Sequence, residues 1–309
     1  MKQFFIILFG GLATIIIGIL LISGLMSLLG YFGNFANKVK QPKDGTSISG
    51  VKRIIRYTAS EEENLLHAAT ESLPRTSEDH ITAKGYIVQN LTLGGIVIEN
   101  DLDTIKPIAS ITKLITAVVA RRLIDPDERV TITKEIMDTY GNTAQFKTGE
   151  TLLAKDLYYP LLMVSSNDAA EALARDYGRK KFIDAMNDFV QSIGAYRTYF
   201  TDPSGLSENN VSTPRDLAII LDWIRKNDRE VIDITSFKAK TIKSHTWVNP
   251  THFLNWSTYA GGKNGYTPEA DMTSASLFVL GPNKNIYAIV LLGSISRDAD
   301  LLKLLEKIR

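Results

Sequence analysis

A serine and a lysine three residues apart are the most informative pair in this sequence. Ser110 and Lys113 stand at the start of an apolar run, Leu114 to Ala120, that follows Pro107 and is typical of a buried helix. Residues three apart share a helical face, so the hydroxyl and the amine can meet at the helix N-terminus. A desolvated lysine can take the proton of a serine hydroxyl and make it nucleophilic. The pair therefore predicts nucleophilic serine chemistry.

Two further motifs carry polar groups suited to the same chemistry. Ser165 and Asn167 lie between two helical patterns, where a hydroxyl and an amide can relay a proton and hold a substrate carbonyl. The alternative is that they cap the Ala-rich helix that follows. Lys263 precedes a β-rich run, so we expect it on or beside an edge strand, unless Asn264 and Gly265 form a simple hairpin turn. A cation there can hold a carboxylate and lower the pKa of a nearby lysine.

Each motif has a second copy, so order and context must decide between the copies. Ser49 and Lys52 repeat the serine–lysine spacing in a polar stretch that would not bury the lysine. Ser207-Glu208-Asn209 repeats the Ser-x-Asn pattern. Lys147-Thr148-Gly149 lies between the first two motifs, and no strand pattern follows it. Context therefore favours Ser110, Ser165 and Lys263.

The elements that must position these residues predict an α+β fold. Strand patterns form two hairpins, at 86–88 with 96–98 and at 276–280 with 286–292. Helical patterns lie between the two hairpins, at 110–124, 154–162, 167–177, 180–193 and 213–226, and 297–308 is an amphipathic helix. Strands at both ends with helices between them favour one antiparallel β-sheet flanked on one side by a helical block. We expect Asp168, Asp202 and Glu269 to serve in caps and turns.

The composition is that of a globular protein. Of the 309 residues, 44% are hydrophobic and 22% are charged, and the formal net charge is +1. The near-neutral balance argues against nucleic acid as a partner. The lack of cysteine excludes thiolate nucleophiles, disulfides and cysteine metal sites. His67, His80, His245 and His252 have no metal-ligand spacing, so we expect them in loops or at the surface and expect no metal or cofactor.

The N-terminal segment predicts a membrane anchor. Residues 4–32 are almost wholly apolar, and about 20 apolar helical residues span a bilayer. The alternative is a cleaved signal peptide, whose apolar core is shorter. We therefore expect a transmembrane helix in 1–35, a tether with a candidate short helix in 36–80, and a catalytic domain in 81–309.

From about Lys84 onward the chain resembles the low-molecular-mass penicillin-binding proteins of the D-alanyl-D-alanine carboxypeptidase type, serine peptidase family S11. The resemblance rests on five motifs in order, which are Pro107–Lys113, Ser165–Ala170, Asp202–Ser207, Ser212–Ala218 and Lys263–Ala270. It implies a β-lactamase/DD-peptidase-like fold. It also implies removal of the terminal D-Ala from peptidoglycan stem peptides, and acylation by β-lactams as covalent inhibitors.

The resemblance also implies a role for each site residue. Ser110 is the nucleophile, Lys113 the general base and Ser165 the proton relay, while Asn167 orients Lys113 and the substrate. For substrate binding, the residues implied are Lys263, Asn264, Gly265, Tyr266 and Arg297, with the Ser110 and Tyr266 amides as the oxyanion hole. Such a substrate places the catalytic domain outside the cell membrane. Against this, Lys38, Lys40 and Lys43 after the apolar run favour a cytoplasmic body.

Asn264 departs from the family pattern, which has Thr or Ser at this position. An amide also donates, but it is longer and it accepts as well. The departure keeps open a catalytically weak, wall-binding or regulatory protein. A DD-endopeptidase and a β-lactamase are further alternatives, although no Glu-x-x-Leu-Asn-like segment for deacylation lies between the second and third motifs.

Overall fold

The computed structural model describes residues 80–308. The predicted anchor in 1–35 and nearly all of the tether in 36–80 lie outside the described residues, as does Arg309. Within 80–308, no helix has the length and apolar character needed to cross a bilayer.

The described chain forms eleven strands and eight α-helices. The strands are β1 (Gly85–Asn90), β2 (Ile96–Asn100), β3 (Lys106–Pro107), β4 (Arg129–Thr131), β5 (Thr151–Leu153), β6 (Val211–Ser212), β7 (Ala239–Ile242), β8 (His245–Val248), β9 (Tyr259–Thr267), β10 (Asp271–Leu280) and β11 (Asn285–Ser294). The helices are α1 (Thr112–Leu123), α2 (Lys134–Met137), α3 (Ala154–Met163), α4 (Asn167–Tyr177), α5 (Arg179–Ser192), α6 (Pro214–Asn227), α7 (Arg229–Thr235) and α8 (Arg297–Glu306). Two 3₁₀ turns, Ala109–Ile111 and His252–Asn255, complete the described elements.

One five-stranded antiparallel sheet organises the fold, in the order β2-β1-β11-β10-β9. Both predicted hairpins, β1–β2 and β10–β11, are confirmed, and β9 is an edge strand, as expected for Lys263. In the register of β9 against β10, Lys263 is opposite Ala275 and Asn264 is opposite Ser274. Three two-stranded ladders, β3–β6, β4–β5 and β7–β8, were not predicted, because strands of two to four residues show little periodicity.

Both faces of the central strands are buried, although the outer strand β2 is largely exposed. Successive strand residues point to opposite sides. Ile87 and Val290 pack into a large core with the helical block, α1 and α3–α7 among it. Their neighbours Val88 and Leu291 pack on the other face with Leu304 of α8. The predicted helical block therefore covers one face, and α8, whose side was not predicted, covers the opposite face with its apolar stripe.

The helix that follows the Ser110 turn is a core element. Every residue from Thr112 to Ala120 is buried, including Lys113. The sheet and the buried helix together hold the Ser110 turn against the middle of β9, where the glycine-rich stretch lies. The short helices α2 and α7 were not predicted.

Candidate active site

Ser110 and Lys113 meet as the spacing predicts. Ser110 lies in the 3₁₀ turn that leads into α1, and the Lys113 amine is 2.8 Å from the Ser110 hydroxyl. The amine also donates to Asn167 Oδ1 at 2.8 Å and to the Ser204 carbonyl at 2.6 Å. When Lys113 is neutral it keeps donors for two of these acceptors, and its lone pair can accept the Ser110 proton.

The surroundings of Lys113 favour that neutral form. Its side chain is 0% exposed, and burial holds its pKa well below the usual value of a lysine. The positive charge of Lys263 lowers the pKa further, while Asp202 opposes the shift. Desolvation and a like charge both disfavour the ammonium, so the geometry and the electrostatics suit a general base.

Ser165 and Asn167 lie where α3 meets α4, and both line a cavity that Ser110 also lines. Ser165 has a left-handed backbone (φ 59°), a conformation that non-glycine residues seldom adopt outside constrained sites. Ser166 caps α4 by accepting from the Ala169 amide at 3.0 Å, so the capping alternative holds for Ser166. The Asn167 amide nitrogen donates to the Tyr140 carbonyl at 2.6 Å, which leaves its oxygen facing Lys113.

Lys263 lies on β9 across the cavity and is only 6% exposed. Burial, and then the nearby charge of Arg297, lower its pKa to about 7. Its amine donates to the Asn264 carbonyl at 2.7 Å. A bound anion would raise the pKa of Lys263 again, because a nearby negative charge favours the ammonium form.

Gly265 allows β9 to approach the nucleophile closely. A Cβ on Gly265 would lie 2.8 Å from the Ser110 amide nitrogen and 2.6 Å from Thr273 Oγ1. Side chains larger than hydrogen therefore cannot fit without moving the strand. The close approach sets the Ser110 amide beside β9, where an oxyanion hole formed with the next residue, Tyr266, requires it.

Arg297 and Asn264 also line the cavity. Arg297 begins α8, and its Nε donates to Asp298 at 3.2 Å. The Asn264 side-chain oxygen is buried and has no hydrogen-bond partner among the described residues. A buried unpaired oxygen destabilises the fold, so the departure at Asn264 has a visible structural consequence.

The predicted site residues line one cavity of about 450 Å³. They are Ser110, Ser165, Asn167, Lys263, Asn264, Gly265, Tyr266 and Arg297, with Lys113 buried directly beneath Ser110. Of the alternative copies, Lys147–Gly149 forms an exposed turn outside this lining. Ser207 and Asn209 also lie outside the lining, and the Ser207 hydroxyl accepts from the Asn209 amide. For these two motifs the structure and the sequence context select the same copies, whereas the third copy, Ser49 with Lys52, lies outside the described residues.

Two backbone carbonyls that contact the site were missed by the sequence analysis. Ser204 supplies one acceptor of Lys113, and its loop is organised by Asp202, which accepts from the amides of Ser204, Gly205 and Ser207 at 2.7–2.8 Å. Asp202 is therefore a turn residue, as expected. The other is the Tyr140 carbonyl. Asp-Pro-Ser-Gly is a recognisable turn signal, but a carbonyl acceptor has no signature of its own in residue types.

Two expectations about titratable residues were wrong. Asp168 caps nothing: both its oxygens are buried without a hydrogen-bond partner among the described residues, and burial raises its pKa to about 6. His245 is a buried strand residue bonded to Glu150, because the β7–β8 hairpin folds back onto the protein. Glu269 lies in the exposed β9–β10 turn, as expected. Within 80–308, no three His, Cys, Asp or Glu side chains converge in a way that could hold a metal ion.

Comparison with known proteins gives consistent matches. The model of the D-alanyl-D-alanine carboxypeptidase family Peptidase_S11 matches residues 72–291. A D-alanyl-D-alanine endopeptidase of Escherichia coli is 34% identical over 192 residues, which are 60% of this chain and 60% of that protein. A D-alanyl-D-alanine carboxypeptidase of a Streptomyces strain is 30% identical over 264 residues, or 77% of this chain and 90% of that protein.

Solved structures give the same picture. The crystal structure of the Streptomyces K15 DD-transpeptidase has a TM-score of 0.68 at 30% identity, and the match covers 74% of this chain and 97% of that one. A D-alanyl-D-alanine carboxypeptidase structure from Mycobacterium tuberculosis also has a TM-score of 0.68, at 26% identity.

Proposed function

The chain belongs to the D-alanyl-D-alanine carboxypeptidase family of serine peptidases, S11, and from this membership we propose that it removes the terminal D-Ala of peptidoglycan stem peptides. The observation that carries the proposal is the environment of Lys113. Its buried amine is 2.8 Å from the Ser110 hydroxyl and from the Asn167 oxygen, in a cavity bordered by Lys263 and Arg297.

In the proposed acylation, neutral Lys113 takes the proton of Ser110 as Oγ attacks the carbonyl carbon of the D-Ala-D-Ala bond. The oxyanion is held by the amides of Ser110 and Tyr266, which is the largest single contribution in many acyl transfers. The C–N bond then breaks, and Ser165 passes the proton from Lys113 to the leaving nitrogen. The products are a Ser110 ester and free D-alanine.

Deacylation uses Lys113 as the base again. A water molecule enters where the amine left, Lys113 accepts its proton, and hydroxide adds to the ester carbonyl. The C–Oγ bond breaks, and the proton returns from Lys113 to Ser110. A β-lactam follows the first step, but its leaving nitrogen stays tethered to the acyl group and obstructs the water, so the acyl-enzyme persists.

Recognition of the substrate terminus is assigned to the cationic end of the cavity. Lys263 and Arg297 attract the C-terminal carboxylate, and a bound carboxylate in turn stabilises the Lys263 ammonium. The Asn264 amide replaces the hydroxyl usual in the family. We expect it to donate to the carboxylate less well, because an amide side chain is longer than a hydroxyl and presents an acceptor as well as a donor.

The proposal includes a location. Peptidoglycan stem peptides lie outside the cytoplasmic membrane, and the apolar run in 4–32 is long enough to tether the chain there. The catalytic domain would then be extracytoplasmic on an N-terminal anchor, with a cleaved signal peptide as the alternative.

A second candidate is DD-endopeptidase activity on cross-linked peptides, and the names of two relatives favour it. The Escherichia coli and Haemophilus influenzae relatives are named D-alanyl-D-alanine endopeptidases.

Two substrates distinguish these functions. The protein is incubated with a synthetic peptide ending in D-Ala-D-Ala and, separately, with a cross-linked dimer of stem peptides, and the products are quantified by liquid chromatography. D-alanine release from the first supports the carboxypeptidase, and cleavage of the dimer supports the endopeptidase. If neither is cleaved while a β-lactam still acylates the protein, the wall-binding or regulatory alternative holds.

A further inference from the structure

The orientation of Asn167 depends on a loop that carries no catalytic side chain. We call residues 138–150, which connect α2 to β5, the Tyr140 loop. The Tyr140 carbonyl accepts from Asn167 Nδ2 at 2.6 Å, while Asn167 Oδ1 accepts from Lys113 at 2.8 Å. Because an amide has its donor and its acceptor on opposite sides, holding the nitrogen end decides that the oxygen end faces Lys113.

The Tyr140 loop has no regular structure of its own to fix its position. Three of its residues have left-handed backbones: Gly141 (φ 86°), Gln145 (φ 58°) and Gly149 (φ 86°). Such conformations persist where surrounding structure imposes them, above all at the non-glycine residue Gln145. The structure around the loop must therefore supply the constraint.

The β7–β8 hairpin supplies that constraint through one face of β8. His245 and Trp247 are two residues apart, so both point to this face, and both are buried. Trp247 Nε1 donates to the Ala144 carbonyl at 3.1 Å, and His245 Nε2 bonds Glu150 Oε1 at 2.6 Å. These two contacts hold the middle and the end of the Tyr140 loop.

Aromatic packing closes the same contact. The rings of His245 and Trp247 stack with centroids 5.5 Å apart and an interplanar angle of 3°. Phe146, from the centre of the loop, meets both rings edge-on, with centroids at 5.6 and 6.3 Å. Edge-to-face pairs of this kind stabilise one relative placement of the two segments beyond simple burial.

The hairpin is itself anchored at three other points. Lys243 donates to the Thr151 carbonyl at 2.5 Å, and the Lys240 amine lies 4.3 Å from the centre of the Tyr159 ring on α3. After β8, Asn249 donates to the Thr235 carbonyl of α7 at 2.8 Å. The hairpin is thus fixed to the helical block on one side and holds the Tyr140 loop on the other.

We propose that the β7–β8 hairpin is a brace for the catalytic base, in which Trp247 and His245 are positioning residues that act through the Tyr140 loop and Asn167 on Lys113. The inference rests on the proposed function, because it gives the brace a role in Lys113 chemistry. Neither residue lines the cavity, so neither is expected to touch substrate.

Loosening the brace has a consequence for catalysis that ordinary destabilisation lacks. If the Tyr140 carbonyl moves, the Asn167 amide can turn and Lys113 loses one acceptor. An acceptor favours the charged form, so its loss lowers the pKa of Lys113 further. The other charged groups that act on Lys113, Lys263 and Asp202, are not part of the brace and stay in place.

The test uses Trp247→Phe, which keeps an aromatic ring and removes the N–H donor. The second-order rate of acylation by a fluorescent penicillin is measured against pH on the full chain, together with the thermal midpoint. We expect a fall of about three- to tenfold, as for one lost hydrogen bond, and an acid limb displaced to lower pH. Trp223→Phe is the matched control. The Trp223 ring packs on the Phe189 ring, with centroids 4.8 Å apart, and not on the Tyr140 loop.

A double-mutant cycle separates positioning from general destabilisation. In an Asn167→Ala background, Trp247→Phe should slow the residual acylation no further, because the group it acts through is gone. Additive losses in the two backgrounds, or an unmoved acid limb, would overturn the inference.

Amide hydrogen exchange keeps the test independent of the proposed function. Trp247→Phe should accelerate exchange in residues 140–150 and at the start of α4, while Trp223→Phe should not. If wild-type protein is not acylated, the proposed function fails while this measurement still decides whether the brace exists. Unchanged exchange in the Tyr140 loop would refute the brace itself.

Discussion

Replacing Gly265 by alanine tests the close approach of β9 to the nucleophile. The new Cβ would lie 2.8 Å from the Ser110 amide nitrogen and 2.6 Å from Thr273 Oγ1, where ordinary contacts begin at about 3.4 Å. The strand must therefore retreat by about 0.6–0.8 Å, because the Ser110 amide belongs to the backbone of a buried turn. That retreat separates the two amides proposed for the oxyanion hole.

The expected magnitude follows from both effects of the displacement. Losing one oxyanion-hole donor slows acyl transfer by about 10²–10³-fold, so we expect acylation by a penicillin to fall by about 100-fold. Overpacking lowers the free energy of unfolding by about 1–3 kcal/mol. The two quantities are measured by stopped-flow acylation and by urea unfolding.

Gly85→Ala is the matched control for this prediction. Gly85 is also a strand glycine, and a Cβ on it would meet the Asp101 carbonyl and Lys106 Cε at 3.1 Å, outside the cavity lining. We expect it to lower stability and leave acylation within about twofold of wild type. The reasoning would be refuted if Gly265→Ala were acylated at the wild-type rate, or if both variants lost the same fraction of that rate.

Two further substitutions address the cationic end of the cavity. Asn264→Thr removes a buried unpaired oxygen and restores a hydroxyl donor, so the free energy of unfolding should rise by about 1 kcal/mol and KM for a carboxylate-terminated peptide should fall. Urea unfolding and steady-state kinetics check both, and an unchanged KM would mean that Asn264 does not contact the carboxylate. Lys263→Met removes a buried ammonium. Burial lowers the pKa of Lys263 from 10.5 to about 7 in the folded state. Between these pH values the folded state therefore binds fewer protons than the unfolded state. Wild-type destabilisation by Lys263 is therefore full below pH 7 and disappears by about pH 10.5. The free energy of unfolding of the variant should exceed that of wild type by a few kcal/mol at pH 6 and nearly equal it at pH 10. Urea unfolding at the two pH values measures this difference. A stability difference that does not change with pH would contradict the shift.

The sequence predicted those parts of the site that depend on residue type and order. Ser110, Lys113, Ser165, Asn167 and Lys263 lie together in the structure because the first two motifs occupy helix N-termini and the third lies on the edge strand β9. Hydrophobic periodicity predicts such elements well. The β1–β2 and β10–β11 hairpins were predicted for the same reason, since glycine-containing turns separate alternating strands.

The features that the sequence did not predict are mostly contacts of backbone carbonyls and the tertiary packing of elements that are distant in the chain. The carbonyls of Ser204 and Tyr140 hold Lys113 and Asn167, yet any residue type supplies a carbonyl. His245 was expected in a loop or at the surface. It is buried only because β8 folds onto the Tyr140 loop, and the local sequence does not show that contact. The side of the sheet that α8 covers likewise depends on chain path, which local pattern does not encode.

Trapping the acyl-enzyme tests the central claim most directly. The full chain is incubated with a penicillin, digested, and its peptides are examined by mass spectrometry, with Ser110→Ala treated in parallel. The account predicts one added penicilloyl mass on the peptide that contains Ser110 and none in the variant. A mass on another residue, or equal labelling of Ser110→Ala, would contradict the assignment of Ser110 as the nucleophile activated by Lys113.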